Sequence, residues 1–114
     1  MTEVGRGTKV FDSEAVRGSW RFLNTPLDVL ELMDSSAEGV IAGVADAGAT
    51  FLAPIFDELT AVVCMSGTPL SHIGIVSREY QVPCLMGTTL TETLNEFDEV
   101  EVDCSGDIGI LRRA

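Results

Sequence analysis

Apolar residues fall in short bursts along this chain, and the spacing within each burst predicts its element. The stretch "AVVCM" (61–65) is short, apolar and β-branched, which predicts a buried strand. "GVIAGVA" (39–45) and "CLMG" (84–87, closed by Gly87) read the same way. "AVRGSWRFL" (15–23) has strand-like content, with Gly18 expected at a bulge or tight bend. "EVEVDC" alternates polar and apolar, "SGD" turns the chain, and "IGILRR" returns, predicting a C-terminal β-hairpin with one wet face.

Helical spacing appears in two places. In "NTPLDVLELM" Thr25 can cap, Pro26 suits the first helical position and Asp28 lies in the first turn, where negative charge is favoured. Leu27, Val29, Leu30 and Met33 are expected to form its apolar face. In "HIGIVSREYQ" Ser71 is expected to cap, and Ile73, Val76 and Tyr80 recur at helical spacing. Gly74 weakens this helix by about 1 kcal/mol relative to alanine, and Pro83 follows its end. "FLAPIFDELT" predicts a further short helix and "TTLTETLNEF" a helical turn, while residues 1–14 predict only turns and an edge. With no repeat or linker, the chain reads as one domain over residues 1–114, an α/β or α+β layer fold with β-rich ends.

Composition narrows the function. Aromatics are 6% of the residues, so the core is expected to be aliphatic. The net charge of −11 repels nucleic acid and anionic lipid, so neither is expected as a partner. No apolar run approaches the roughly 20 residues that span a bilayer, and the N-terminal residues lack the apolar core of a signal peptide. Cys64, Cys84 and Cys104 form no CxxC pair, which predicts free, buried thiols in a reducing compartment and a cytoplasmic location.

The chemistry concentrates in "SGTPLSHIGIVSRE" (66–79), which holds His72, the only histidine. A strand, a small-residue loop and a helix start place this side chain where α/β folds expose their sites. Free amides near Ile73 and Gly74 attract anions, and Gly74 permits close approach to the backbone. A helix N-terminus disfavours imidazolium. A neutral imidazole is a nucleophile, and the same amides could hold the oxygens of a phosphoryl group it accepted. On the residues alone, an ordinary capping or loop histidine is the stronger reading. A metal site lacks ligands, and no G-x-S-x-G elbow accompanies Ser71. Arg78 is six residues beyond His72, too far along the helix for easy contact with a phosphate. It is expected in an ion pair or docking contact, with Glu79 solvated or paired.

"SGTPLSHIGIVSREYQVPCLMG" resembles the signature of the PEP-utilising mobile domain, the swivelling phosphohistidine domain, approximately G-G-x-x-[ST]-H-[AT]-A-I-[VI]-A-R-E-x-x-[IV]-P-A-[VI]-[VM]-G. Gly67, Ser71, His72, Ile75, Val76, Arg78, Glu79, Val82, Pro83, Met86 and Gly87 match it. Thr68-Pro69 stands where a second glycine is usual, Leu70 where threonine is common, and Ile73-Gly74 where two small residues follow the histidine. "FDEVEVDCSGDIGIL" resembles the family's closing hairpin, with Phe97 in place of glycine.

The resemblance implies a swivelling β/β/α domain and a phosphoryl carrier. His72 would take a phosphoryl group on Nε2 and deliver it elsewhere, with Gly67, Thr68, Ser71, Ile73 and Gly74 supporting the phosphate and Arg78, Glu79, Pro83 and Gly87 structural or docking. No P-loop occurs. The chain is therefore expected to act as a stand-alone carrier subunit binding no cofactor itself. Its partners would be nucleotide-binding (ATP-grasp-like) and PEP- or acceptor-binding subunits that hold Mg²⁺ with ATP or phosphoenolpyruvate. Two other readings stand beside it: a catalytically silent docking or regulatory subunit, motivated by the bulk of Thr68-Pro69, and an anion-binding module for a phosphorylated metabolite.

Overall fold

A computed structural model describes residues 1–114. Seven strands form one closed barrel: β1 (Thr2–Lys9), β2 (Ser13–Phe22), β3 (Val40–Val44), β4 (Ala61–Cys64), β5 (Cys84–Leu90), β6 (Glu99–Cys104) and β7 (Gly109–Arg113), in the order β1-β5-β4-β3-β2-β6-β7. Strand β1 closes it by pairing antiparallel with both β5 and β7. The α/β character agrees with the sequence, but the strands are joined around one barrel rather than divided into the expected separate layers.

The run β2-β3-β4-β5 is parallel. Its connections carry helix α1 (Pro26–Asp34), a 3₁₀ turn (Phe56–Glu58) and helix α2 (His72–Tyr80). This explains the apolar runs of β3 and β4, in which every residue is buried. Side chains alternate between two apolar clusters. Ile41, Ala61, Val63 and Leu85 join Trp20, Val100 and Leu111 in one. Ala42, Val62, Cys64, Cys84 and Met86 meet Leu32 of α1, Phe56 and Ile73 of α2 in the other. All three thiols are free and buried, as expected. Burial pushes the Cys84 thiol up to about 12.

Several local expectations are corrected. Residues 2–9 are a full strand, hidden because Val4 is its only apolar residue and Gly5 and Gly7 carry no hydrophobic signal. The irregularity in β2 falls between Ser13 and Val16, not at Gly18. The helix expected in 51–60 shrinks to the 3₁₀ turn. Strand β5 runs through Gly87 to Leu90, because Thr89 and Leu90 pair with Arg6 and Gly5; the helical turn expected from Thr88 does not form. Helix α1 begins as expected: the Thr25 hydroxyl accepts from the Asp28 amide, and the Asp28 carboxylate accepts from the Thr25 amide. Its buried face is Val29 and Leu32, however, and Leu27, Leu30 and Met33 are exposed. The C-terminal hairpin forms, β6 pairing antiparallel with β7.

Candidate functional site

The site begins where β4 ends beside β3. The Met65 amide donates to the Val44 carbonyl, extending the pairing by one step. Ser66 then ties the two exits together: its hydroxyl donates to the Ala45 carbonyl (2.8 Å) and accepts from the Ala47 amide (3.0 Å). Gly67 follows with φ +73°, and a Cβ there would lie 2.4 Å from the Ala47 Cβ and 2.6 Å from the Ser71 hydroxyl. Glycine is therefore required on both backbone and steric grounds. The Gly87 amide of β5 donates to the Ser66 carbonyl (3.0 Å), so this matched residue braces the loop from the neighbouring strand.

The loop satisfies its own polar groups. Thr68 donates its amide to the Ser71 hydroxyl (3.0 Å), and the Ser71 amide donates to the Thr68 carbonyl (2.9 Å). Leu70 donates its amide to the Thr68 hydroxyl (3.2 Å). Ser71 occupies the N-cap position, but its hydroxyl bonds back to the loop and accepts from no helix amide. That corrects the expected side-chain cap. The Ser71 carbonyl does accept from the Ile75 amide (3.0 Å), the first bond of the helix.

The expected anion cradle is only partly open. The Ile73 amide donates to the Ala47 carbonyl (3.0 Å), so it is not free. Gly74 is buried, and a Cβ there would lie 2.4 Å from the Pro69 carbonyl oxygen. The close approach that Gly74 permits is thus made by the chain's own loop. The amides of His72 and Gly74 donate to no group in the protein, and the dipole of the nine-residue α2 points its positive end at this spot.

His72 itself is exposed, and its imidazole makes no hydrogen bond and no ion pair. It stands at the end of a groove of about 160 Å³ between α2 and residues 49–56. Leu70, 84% exposed, is two residues away. Arg78 makes no ion pair; its guanidinium donates to the Val10 carbonyl and pins α2 to the end of β1. Glu79 lines the groove without a partner, and the Pro83 carbonyl accepts from the Val62 amide (2.9 Å). The structure therefore gathers Gly67, Thr68, Ser71, His72, Ile73, Gly74 and Gly87 at one place, while the bonds of Arg78 and Pro83 run to Val10 and Val62. Ser66, Ala47 and the groove wall Phe56 were not singled out from the sequence, and Tyr80 was read only as part of the apolar face of α2. Of these, Ser66 carried a signal, as a hydroxyl at the exit of the clearest strand.

No three His, Cys, Asp or Glu side chains come together as metal ligands. A larger opening of about 360 Å³ lies between Trp20, Phe22, Leu90 and Leu94; it is lined by no histidine or cysteine, and its Glu92 is paired with Arg113.

An exposed histidine at this strand–loop–helix junction lies within a sequence match over residues 36–106 to the family described as "PEP-utilising enzyme, mobile domain". This chain belongs to that family. It is 39% identical over 62 residues to the "Uncharacterized phosphotransferase YvkC" of Bacillus subtilis (strain 168). It is 37% identical over 84 residues to the "Phosphoenolpyruvate synthase" of Deinococcus radiodurans. These matches cover 53% and 72% of this chain but only 8% and 11% of the relatives, so the mobile domain is a small part of each. A solved structure of an uncharacterized protein from Pseudomonas syringae pv. tomato str. DC3000 shares the fold, with a TM-score of 0.54 at 11% identity, over 93% of this chain and 62% of that one. No helix of the mobile domain is long and apolar enough to cross a membrane.

Proposed function

We propose that this mobile domain is a phosphoryl carrier and that Nε2 of His72 is the atom that carries the group. The observation behind this reading is the exposed, unpartnered imidazole at the first position of α2, inside the family match. No donor of the protein occupies the ring, so the lone pair of the neutral imidazole is open for attack. In the transfer, the Nε2–P bond forms as a P–O bond of the donor breaks, and the electron pair stays on the donor's oxygen. The proton on Nδ1 remains on the ring. In delivery a nucleophilic atom of the acceptor forms the new bond to phosphorus as the Nε2–P bond breaks, and that electron pair returns to Nε2. The donor is ATP or phosphoenolpyruvate, held with Mg²⁺ by nucleotide-binding (ATP-grasp-like) and PEP- or acceptor-binding partners. Although the family match ends at residues 36 and 106, β1 and β7 close the same barrel, which supports reading residues 1–114 as one domain. The three free thiols suit a reducing compartment, and we place the protein in the cytoplasm.

The test is intact-protein mass spectrometry without acid, after incubation with ATP–Mg²⁺ or phosphoenolpyruvate and an extract of the source cells. The wild-type chain gains one acid-labile phosphate, and His72→Asn gains none while folding normally. A second reading, the silent docking subunit, draws on the Ile73 amide already being bonded to Ala47. A folded wild-type chain that gains no phosphate from either donor favours it.

A further inference from the structure

The groove that ends at His72 has a composition that the carrier reading alone does not use. Its walls are mainly apolar, among them Leu52, Ala53, Phe56, Val76 and Tyr80, and the Phe56 and Tyr80 rings stack at 6.0 Å. Its volume, about 160 Å³, suits one side chain of leucine or phenylalanine size. Tyr80 is half exposed at its edge. Because His72 is one of its lining residues, a partner that reaches the imidazole along this side meets the groove as well.

Charge identifies the occupant. From Phe22 to Ser77 the chain carries no lysine or arginine. Asp57 and Glu58 adjoin Phe56, Glu79 lines the groove, and none of the three is ion-paired. The cations lie outside this segment and are engaged. Arg6, Lys9, Arg17, Arg21, Arg112 and Arg113 all pair with carboxylates, and Arg78 bonds the Val10 carbonyl. The face around the histidine is thus apolar and uniformly acidic. A second copy of this chain would set carboxylate against carboxylate. A subunit that holds ATP or phosphoenolpyruvate must surround a polyanion with cations, so its mouth is basic.

We infer that the groove is a docking site for the phosphoryl-donating subunit, receiving one apolar side chain from a segment whose neighbouring lysines or arginines meet Asp57, Glu58 and Glu79. This rests on the carrier reading. Opposite charge steers the encounter, and the buried side chain holds the complex while His72 reacts.

The experiment measures the initial rate of phosphate gain, with the same extract and donor, as the concentration of the full chain is varied. Ala53→Trp fills the groove from its exposed wall. It is expected to raise the half-saturating concentration about tenfold, the equivalent of about 1.4 kcal/mol, with little change in the maximal rate. Glu79→Lys, on an exposed helix position, is expected to raise it several-fold at low salt, and the difference should vanish at high salt. This charge variant also keeps the question decidable if Ala53→Trp does not fold. Ile108→Ser, exposed in the turn between β6 and β7, should leave charging unchanged. Normal charging by both groove variants overturns the inference while the carrier reading stands. Normal charging with slowed delivery to the acceptor also overturns it, and assigns the groove to the acceptor. A wild-type chain that is never charged overturns the carrier reading and this inference together.

Discussion

The two sides of the barrel differ in how their cations are placed. On the antiparallel side, β6 and β7 carry a lattice in which Arg112 bonds both Glu101 (2.9 Å) and Asp103 (3.0 Å), and Arg17 of β2 approaches Glu101 from the other strand. On the parallel side, α1, the 3₁₀ turn and α2 expose carboxylates with no cation among them up to Arg78, together with Leu27, Leu30, Leu70 and Ile75. Paired charges make a closed surface that contributes modestly to stability. Unpaired charges among exposed apolar residues leave a surface whose complement must come from elsewhere. The histidine is on the second side. The lesson is that net charge alone says little: −11 is unevenly spread, and a run of unpaired carboxylates shares the side that carries His72.

That contrast can be broken from either side. The largest effect on stability is expected at Gly74. Gly74→Ala drives a Cβ onto the Pro69 backbone beneath the site and should cost about 2 kcal/mol, read by urea unfolding. Gly106→Ala, in the turn between β6 and β7 with nothing within 4 Å of the added methyl, should change stability by no more than about 0.5 kcal/mol. Equal costs at both positions would remove the idea that the loop is tightly packed and the hairpin turn is not. Next, Arg112→Ala unties a half-buried pair of bonds and should cost about 1 kcal/mol, without altering phosphate gain at His72.

The smallest effect is a pH dependence confined to the lattice. Hydrogen bonds from Ser105, then Arg112, hold the Asp103 carboxyl down to about 2. Its folded-state pKa lies below the unfolded value, so its contribution is fully present above about pH 4. The contribution is lost as pH falls through the folded value. Asp103→Asn should flatten the slope of stability against pH between about 4 and 2. An unchanged slope would show that the lattice does not hold this carboxylate as drawn.

Much of this architecture was legible in the chain. The strands of 40–44 and 61–64 were visible because each is buried on both faces, so apolar residues run without interruption. The capping residues of α1 were visible because their chemistry is local, whereas its buried face was not. Leu27, Leu30 and Met33 are as apolar as Val29 and Leu32, and only the packing of the helix on the barrel decides which set is covered. Strand β1 was missed because its partners, β5 and β7, are far away in sequence and its glycines carry no pattern.

The candidate site divides the same way. The residue types and spacing of 66–79 by themselves determined that one histidine stands at a strand–loop–helix junction, because a small-residue loop, an N-cap serine and a helical apolar repeat are all local signals. Only the tertiary structure decided what surrounds it. The Ile73 amide is claimed by Ala47, from a loop far back in the sequence. Arg78 is claimed by Val10. The groove exists because α2 is set against residues 49–56, and its acidity because every cation is held elsewhere. Hydrogen bonds and charges act through space, so partners that the chain brings together only by folding leave no mark in local pattern.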